Sequence, residues 1–339
     1  MTDPAPAPAP QEVVMQTVFG FMASKALTVA AELGVADALA DGPVYYTDLA
    51  AAVGADQRAL HRLLRLLSSV GIFAEPEPGL FALNSAAELI RKDHPESMRD
   101  MAVMITADSH WGPWSKLGET VRTGESGPQH AFGTDIFTWF QQPENAEQWE
   151  IFNAAMTSFS QGIGEQVAAA MDFSGFRTIV DIGGGHGHLL RKILEAAPDS
   201  KGVLFDLPGV VEGADAEALG ERVGIVGGNF FERVPEEGDA YVLKHIIHDW
   251  SDEQSVTILR NIAAAMDPDG RVLIVEIVMP DEGHPHPAKF MDVNMLAMTE
   301  GGCERTEAEY AALLEAAGLQ LVDIHPTAGI ASIVEAKHA

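Results

Sequence analysis

Val180–Leu190, "VDIGGGHGHLL", joins a short apolar run to glycines at 183, 185 and 187 and then to paired leucines. An acid closing a buried strand, a glycine turn and a helix start make the first half of a βα unit. The same alternation surrounds it. "RTIVDIGGG", "KGVLFDLP", "DAYVLKHI" and "GRVLIVEIVMP" read as buried strands; "HLLRKILEAAP", "SDEQSVTILRNIAAAMDPDG" and "RTEAEYAALLEAAGL" read as helices between or after them. Ser251 with Gln254 forms a capping box at one helix start. The pattern predicts an α/β, doubly wound parallel sheet over residues 171–339. "LQLVDIHPTAGIASIVEAK" is expected to add a closing hairpin at its edge.

Upstream the period changes. Residues 12–100 are predicted to be mostly helical, with Gly42-Pro43 as a stop. Thr47 is expected to cap a short helix, and Asp56 a second one carrying Leu60, Leu63, Leu64 and Leu67 on one face. "IFAEPEPGLFAL" reads as a hairpin, so this region resembles a winged helix. Arg58, Arg62 and Arg65 raise the question of DNA, but the leucine-rich face and acidic surroundings favour a dimerisation module. Residues 101–170 continue as helices dense in Met, Trp and Phe, among them Trp111, Phe152, Met156 and Phe159. Such side chains serve a core or line an adaptable apolar pocket.

With 339 residues the chain has room for two cores. Its formal charge of −29 argues against phosphate-backbone binding, and so against nucleic acid, and against anionic membranes. The apolar runs fall short of the roughly 18 residues of a membrane helix. "MTDPAPAPAP" lacks the charged start and apolar core of a signal peptide, so residues 1–11 are expected to be a disordered tail. The single cysteine, Cys303, excludes an internal disulfide framework and fits a reducing cytoplasm. The expected partners are a small molecule and a second copy of this chain.

In doubly wound sheets, ligands sit at the carboxyl ends of the strands. Asp181 and the three glycines occupy the end of the first strand there. The G-x-G-x-G spacing differs from the G-x-G-x-x-G that cradles a dinucleotide pyrophosphate, and it suits a ligand carrying a sulfonium, an ammonium and a ribose. Asp206, in "LFDLP", is placed for ribose hydroxyls. Asn229 and Phe230, in "GGNFFE", are placed for an adenine edge and face. The octet Leu243–Trp250, "LKHIIHDW", then offers Lys244, His245, His248 and Asp249. Two histidines three apart suit a metal or a general base. No third ligand is evident nearby, and the "HPHP" loop at 284–287 reads as solvated, so no metal is expected.

Asp181–Gly187, "FDLPGVV", "GNFFE", "LKHIIHDWSDEQ", "VLIVE" and "GGCERTEAEY" come in one order. In that order they resemble the S-adenosylmethionine-dependent O-methyltransferases of the plant caffeic-acid type and their bacterial relatives acting on polyketide, anthracycline and phenazine products. The resemblance spans nearly the whole chain. It implies a Rossmann-like methyltransferase sheet preceded by a winged-helix-like domain that forms a homodimer. It implies S-adenosylmethionine as cofactor, with S-adenosylhomocysteine as product. Asp181, Gly183, Gly185, Gly187, Asp206, Leu207, Asn229, Phe230 and Lys244 would hold the cofactor. Asn229 departs from the usual aspartate, keeping an acceptor oxygen and adding donors.

The resemblance makes His248 the general base, Glu276 and Glu304 the carboxylates that orient its ring, and Asp249 a neighbour that alternatively only complements a helix dipole. His245 falls at a position of no fixed chemistry. A phenol with a pKa of about 10 must lose its proton on methylation, and an imidazole near 6.5 is a suitable acceptor. Met291 and Met295 are expected to form an apolar slot for a flat ring with Trp111, Phe152, Met156 and Phe159. Asp292 and Asn294 would fix polar substituents of a hydroxylated aromatic substrate. Two other readings remain: a relative that binds the cofactor but performs other chemistry or regulation, and an NAD-dependent dehydrogenase, which the glycine spacing disfavours.

Overall fold

The computed structural model describes residues 9–236, 238–281 and 283–339, apart from the side chains of residues 159–161. The first eight residues of the expected tail lie outside this range. A helix begins at Pro10, within the stretch expected to be a tail. The described chain divides into two compact units. One runs to Trp111 and takes in Ala146–Ser158; the other holds Gly112–Asn145 and Phe159–Ala339. The stretch 101–170 is therefore shared between the units.

The first unit is built from the helices Pro10–Glu32, Val35–Ala38, Tyr46–Val53 and Gln57–Ser69, and a small sheet. Asp56 caps the last of these, its Oδ1 accepting from Ala59 N at 2.8 Å. Leu60, Leu64 and Leu67 are buried, with Leu63 packed against them. Thr47 is not a cap: the helix starts at Tyr46, with Tyr45 at the cap position. The sheet has three strands rather than two, β1 (Val44–Tyr45), β2 (Ala74–Glu77) and β3 (Leu80–Ala82), in the order β1-β3-β2. The extra strand arises because Val44 pairs with Phe81, whose ring fills the unit's core.

The 23-residue helix Pro10–Glu32 is, by length and composition, long and apolar enough to cross a membrane. Small and weakly polar residues such as Thr17, Gly20 and Ser24 break its apolar runs, which hides this in a run-by-run reading. Its C-terminal half buries Ala26, Thr28, Ala30 and Ala31 in the unit's core. Its N-terminal half exposes Val13, Val14, Val18, Phe19, Phe21 and Met22.

In the second unit, seven strands form one sheet: β4 (Thr178–Ile182), β5 (Lys201–Asp206), β6 (Val223–Gly227), β7 (Ala240–Lys244), β8 (Arg271–Glu276), β9 (Leu319–Pro326) and β10 (Ser332–His338). Their order is β6-β5-β4-β7-β8-β10-β9. β4 to β8 are parallel; β10 runs antiparallel to β8 and β9, as the closing hairpin requires. Val180, Ile182, Tyr241, Leu243, Val272 and Ile274 face one core, and Ile179, Leu204, Ala240, Val242, Leu273 and Val275 the other. Both faces are covered, which is why these strands read as unbroken apolar runs. The chain leaves β4 toward β5 on one side and returns to β7 on the other. That reversal opens a crevice beyond the carboxyl end of β4. Asp181, Asp206, Lys244 and Glu276 all end or nearly end their strands on this edge.

Candidate active site

The turn after β4 favours glycine. Gly183, Gly185 and Gly187 have φ of +66°, +58° and +81°, a region costly for residues with a Cβ. A Cβ on Gly183 would also lie 2.4 Å from Ile246 Cδ1, whereas one on Gly185 would meet nothing within 4 Å. Gly183 is thus a close-approach glycine, and Gly185 leaves open backbone. Gly183→Ala is expected to cost about 1–3 kcal/mol through overpacking, read as a lowered denaturant midpoint at unchanged slope.

The carboxylates beside this turn are arranged for a ligand. Asp206 accepts from Gly185 N (2.8 Å) and Leu207 N (2.7 Å), one bond to each oxygen. Its outer lone pairs therefore have a fixed direction, although burial raises its pKa. Asp181 is buried, and its Oδ2 has no hydrogen-bond partner. Burial, opposed by Lys244 and reinforced by Asp206, pushes it up to about 7. Burial in turn lowers Lys244, against the attraction of Asp181 and Asp249. An unsatisfied buried acceptor beside open glycine backbone fits a ligand that brings its own ammonium and hydroxyl donors. Asn229 uses its Oδ1 to accept from Phe231 N at 3.0 Å. The Phe230 ring packs edge-on against Phe231 and Trp250. The expected adenine-edge residue thus presents chiefly amide donors, since its oxygen is occupied by the backbone.

His248 lies on a short 3₁₀ turn, Ile247–Asp249, just beyond β7. Its buried ring places Nδ1 2.8 Å from Glu304 Oε1, while Nε2 is 3.7 Å from Asp249 Oδ1, too far for a hydrogen bond. Burial opposes the charged ring. Asp249, the Glu304 hydrogen bond and Glu276 outweigh it and push His248 up to about 9. This is well above the ordinary value near 6.5 that the sequence suggests. Asp249 itself is raised to about 6, chiefly by burial.

Glu276 differs from expectation. It makes no hydrogen bond to the His248 ring; its Oε1 accepts from the backbone N of Ile246 (3.2 Å) and of His248 (3.1 Å). Its Oε2 accepts from the Tyr310 hydroxyl. Glu276 is hydrogen-bonded to the main chain, and Glu304 is the carboxylate hydrogen-bonded to the ring. Glu304 Oε2 is buried without a hydrogen-bond partner.

Two supports are missed by sequence reasoning. Tyr310 reads as a core residue of an amphipathic helix. Buried Arg305 reads as a loop cation, yet it donates to Ile247 O (3.1 Å), Trp250 O (2.9 Å) and Asp252. The one available signal was the adjacency of Arg305 to Glu304.

The expected pocket residues fall in both units. In the first, Trp111 is exposed with its ring centroid 6.4 Å from that of Phe21. Phe152 stacks near Trp149 and His110, at 5.8 and 6.5 Å between ring centroids. Met156 is half-buried. The side chain of Phe159, a residue of the second unit, lies outside the described residues. In the second unit Met295 is buried and Met291 half-buried on the helix Ala288–Met298. Asp292 and Asn294 each use one oxygen within the protein: Asp292 Oδ1 accepts from Glu304 N (3.1 Å), and Asn294 Oδ1 accepts from Trp114 Nε1 (2.9 Å). Asp292 therefore holds the Glu304 loop, a use its helical spacing did not reveal.

Residues 15–93 match an O-methyltransferase dimerisation domain, and residues 114–320 an O-methyltransferase domain. The chain is 40% identical to a phenazine O-methyltransferase of Lysobacter antibioticus, over 96% of this chain and 95% of the relative. It is 41% identical to a mitomycin biosynthesis 6-O-methyltransferase of Streptomyces lavendulae, over 98% and 95%. Among solved structures, human N-acetylserotonin methyltransferase in complex with S-adenosylmethionine superposes with a TM-score of 0.89 at 27% identity, covering 99% of each chain. The relatives also include N-methyltransferases. The chain belongs to the O-methyltransferase family, and it is an S-adenosylmethionine-dependent methyltransferase with that family's dimerisation domain at its N-terminal end.

Proposed function

We propose that this enzyme methylates a phenolic hydroxyl of an aromatic secondary metabolite, with His248 as the proton acceptor. The observation that carries the reading is the buried His248 ring, whose Nδ1 is tied to Glu304 at 2.8 Å. Nε2 is then the nitrogen available to an acceptor hydroxyl. Phenazine and mitomycin relatives support a fused or quinonoid aromatic skeleton. Glu304 fixes the tautomer and favours the protonated ring, as an orienting carboxylate does. Raising His248 to about 9 narrows the gap to a phenol at about 10, so proton transfer is less uphill than to an ordinary imidazole.

When bound, S-adenosylmethionine supplies a methyl group on a sulfonium already activated for displacement. Asp206 offers its outer lone pairs to ribose hydroxyls, and Asp181 its unpaired oxygen to an ammonium. Gly183, Gly185 and Gly187 allow close backbone approach. Asn229, Phe230 and exposed Leu207 would contact the base, and Lys244 would sit beside the cofactor. Within the second unit, Met291 and Met295 would line the acceptor side of the site. In the homodimer, a second copy covers the exposed apolar half of the helix Pro10–Glu32. The single free cysteine, Cys303, is consistent with work in the cytoplasm. Residues 12–100 would serve as the dimerisation region and 171–339 as the catalytic region.

The test is a pH profile of methyl transfer to a phenolic phenazine or quinone acceptor, using labelled cofactor. Below pH 9 the His248 ring is mostly protonated and cannot accept. The rate kcat/KM is therefore expected to rise about tenfold per pH unit toward a limb near 9. Glu304→Gln removes a stabilising negative charge and should move that limb to lower pH. A limb at 6.5 that ignores Glu304 would speak against this base. N-methyltransferases among the relatives favour an aromatic amine as the second reading. A neutral amine attacks with its lone pair before losing a proton, so its methylation should depend far less on His248.

A further inference from the structure

Among the described residues, His245 is the one non-glycine with a positive φ, +53°. Its N still bonds to Val275 O at 3.2 Å, completing the β7–β8 ladder, and the chain then leaves the sheet abruptly. The next amides point at a single acceptor: Ile246 N and His248 N both donate to Glu276 Oε1. From the other side, Arg305 donates to the carbonyls of Ile247 and Trp250, and the Ser255 hydroxyl lies 3.3 Å from both oxygens. Gly302 approaches so closely that a Cβ there would lie 2.5 Å from His248 O. A left-handed residue in a non-glycine persists only where its surroundings over-determine it, and such residues cluster at functional sites. Histidine, like asparagine, is among the types that visit this region most readily.

We propose that His245 is a positioning residue: its left-handed backbone turns the chain out of β7 so that Glu276 receives both amides and His248 is delivered to Glu304. The inference rests on His248 as the proton acceptor, and it assigns to His245 a task in the main chain rather than in the ring. An extended or right-handed residue at 245 would rotate the Ile246 and His248 amides away from Glu276. It would then leave a buried carboxylate oxygen without its donors and shift the His248 ring from Glu304.

The test compares His245→Gly, His245→Asn and His245→Val in the full-length protein. Glycine and asparagine accept a positive φ; a β-branched residue resists it strongly. Three readouts are taken: kcat and KM separately, the melting temperature, and the His248 titration by NMR of labelled imidazoles. The Val variant should lose at least tenfold more kcat than the Gly or Asn variants, with KM for the cofactor little changed. Its His248 should titrate below the wild-type value, because Glu304 no longer engages the ring while Asp249 and Glu276 still face it. The Gly variant should melt at or above wild type. If the Val protein does not fold, His245→Ala against His245→Gly gives the same comparison with a smaller side chain. Equal losses for Gly, Asn and Val would overturn the proposal and make the imidazole itself the working part. A folded Val variant with wild-type kcat and His248 titration would also overturn it. If His248 is not the base, turnover will ignore all these changes, but the His248 titration still reports whether residue 245 positions it.

Discussion

Replacing His248 with alanine is expected to leave S-adenosylhomocysteine affinity within about threefold of wild type and to cut kcat by about 10²–10⁴-fold, the usual worth of general-base assistance. Affinity should survive because the residues nearest the proposed cofactor site, Asp181, Asp206 and the 183–187 turn, take no hydrogen bond from the imidazole. The loss should fall on kcat because the ring is buried and its Nδ1 is already spent on Glu304, leaving Nε2 with one task. Truncation also leaves Glu304 buried with neither oxygen paired to a side chain, so the variant should melt lower and bind a proton at Glu304. Calorimetric titration and single-turnover methyl transfer measure the two halves separately. Turnover near wild type at pH 7 with a phenolic acceptor would show that alignment alone suffices or that another group takes the proton.

The second large effect is on stability. Arg305→Met should destabilise the fold by about 2–4 kcal/mol, because it strips donors from the buried carbonyls of Ile247 and Trp250, each worth about 1–3 kcal/mol when unsatisfied. The Ser255 hydroxyl, 3.3 Å from both oxygens, keeps the figure from the top of that range. The ion pair with Asp252 contributes little, since the Asp252 side chain is 80% exposed. Asp252→Ala is accordingly expected to cost at most about 1 kcal/mol. Denaturant melts of the two variants decide which view of Arg305 is correct. If Asp252→Ala costs as much as Arg305→Met, the charge pair matters and the carbonyl contacts do not. Arg305→Met should also lower kcat, because the turn it clamps carries His248.

Much of the architecture was legible because it is locally encoded. Apolar runs at strand length, the Asp56 and Ser251 caps and the glycine turn each act within a few residues, and the structure contains them. The acids at strand ends were also legible, since a carboxylate there has little structural reason to exist. Thr47 misled because a good capping residue stood one position inside a helix that begins at Tyr46. β1 was hidden by its length of two residues. Asp292 and Asn294 were expected to fix polar substituents of a substrate, but one oxygen of each accepts from within the protein, from Glu304 N and Trp114 Nε1, partners 12 and 180 residues away.

Local sequence thus decided the βα alternation, the glycine turn, and the identity and order of the ionisable side chains along the crevice. Which of them work together was settled only by tertiary packing. Tyr310 reaches Glu276 across 34 residues, Glu304 reaches His248 across 56, and Arg305 reaches Ile247 across 58. Periodicity and turn chemistry are properties of neighbouring residues, whereas a proton's affinity depends on the charges and burial around it. The same imidazole is ordinary in an open chain and held near 9 here, where folding buries it among Asp249, Glu276 and Glu304.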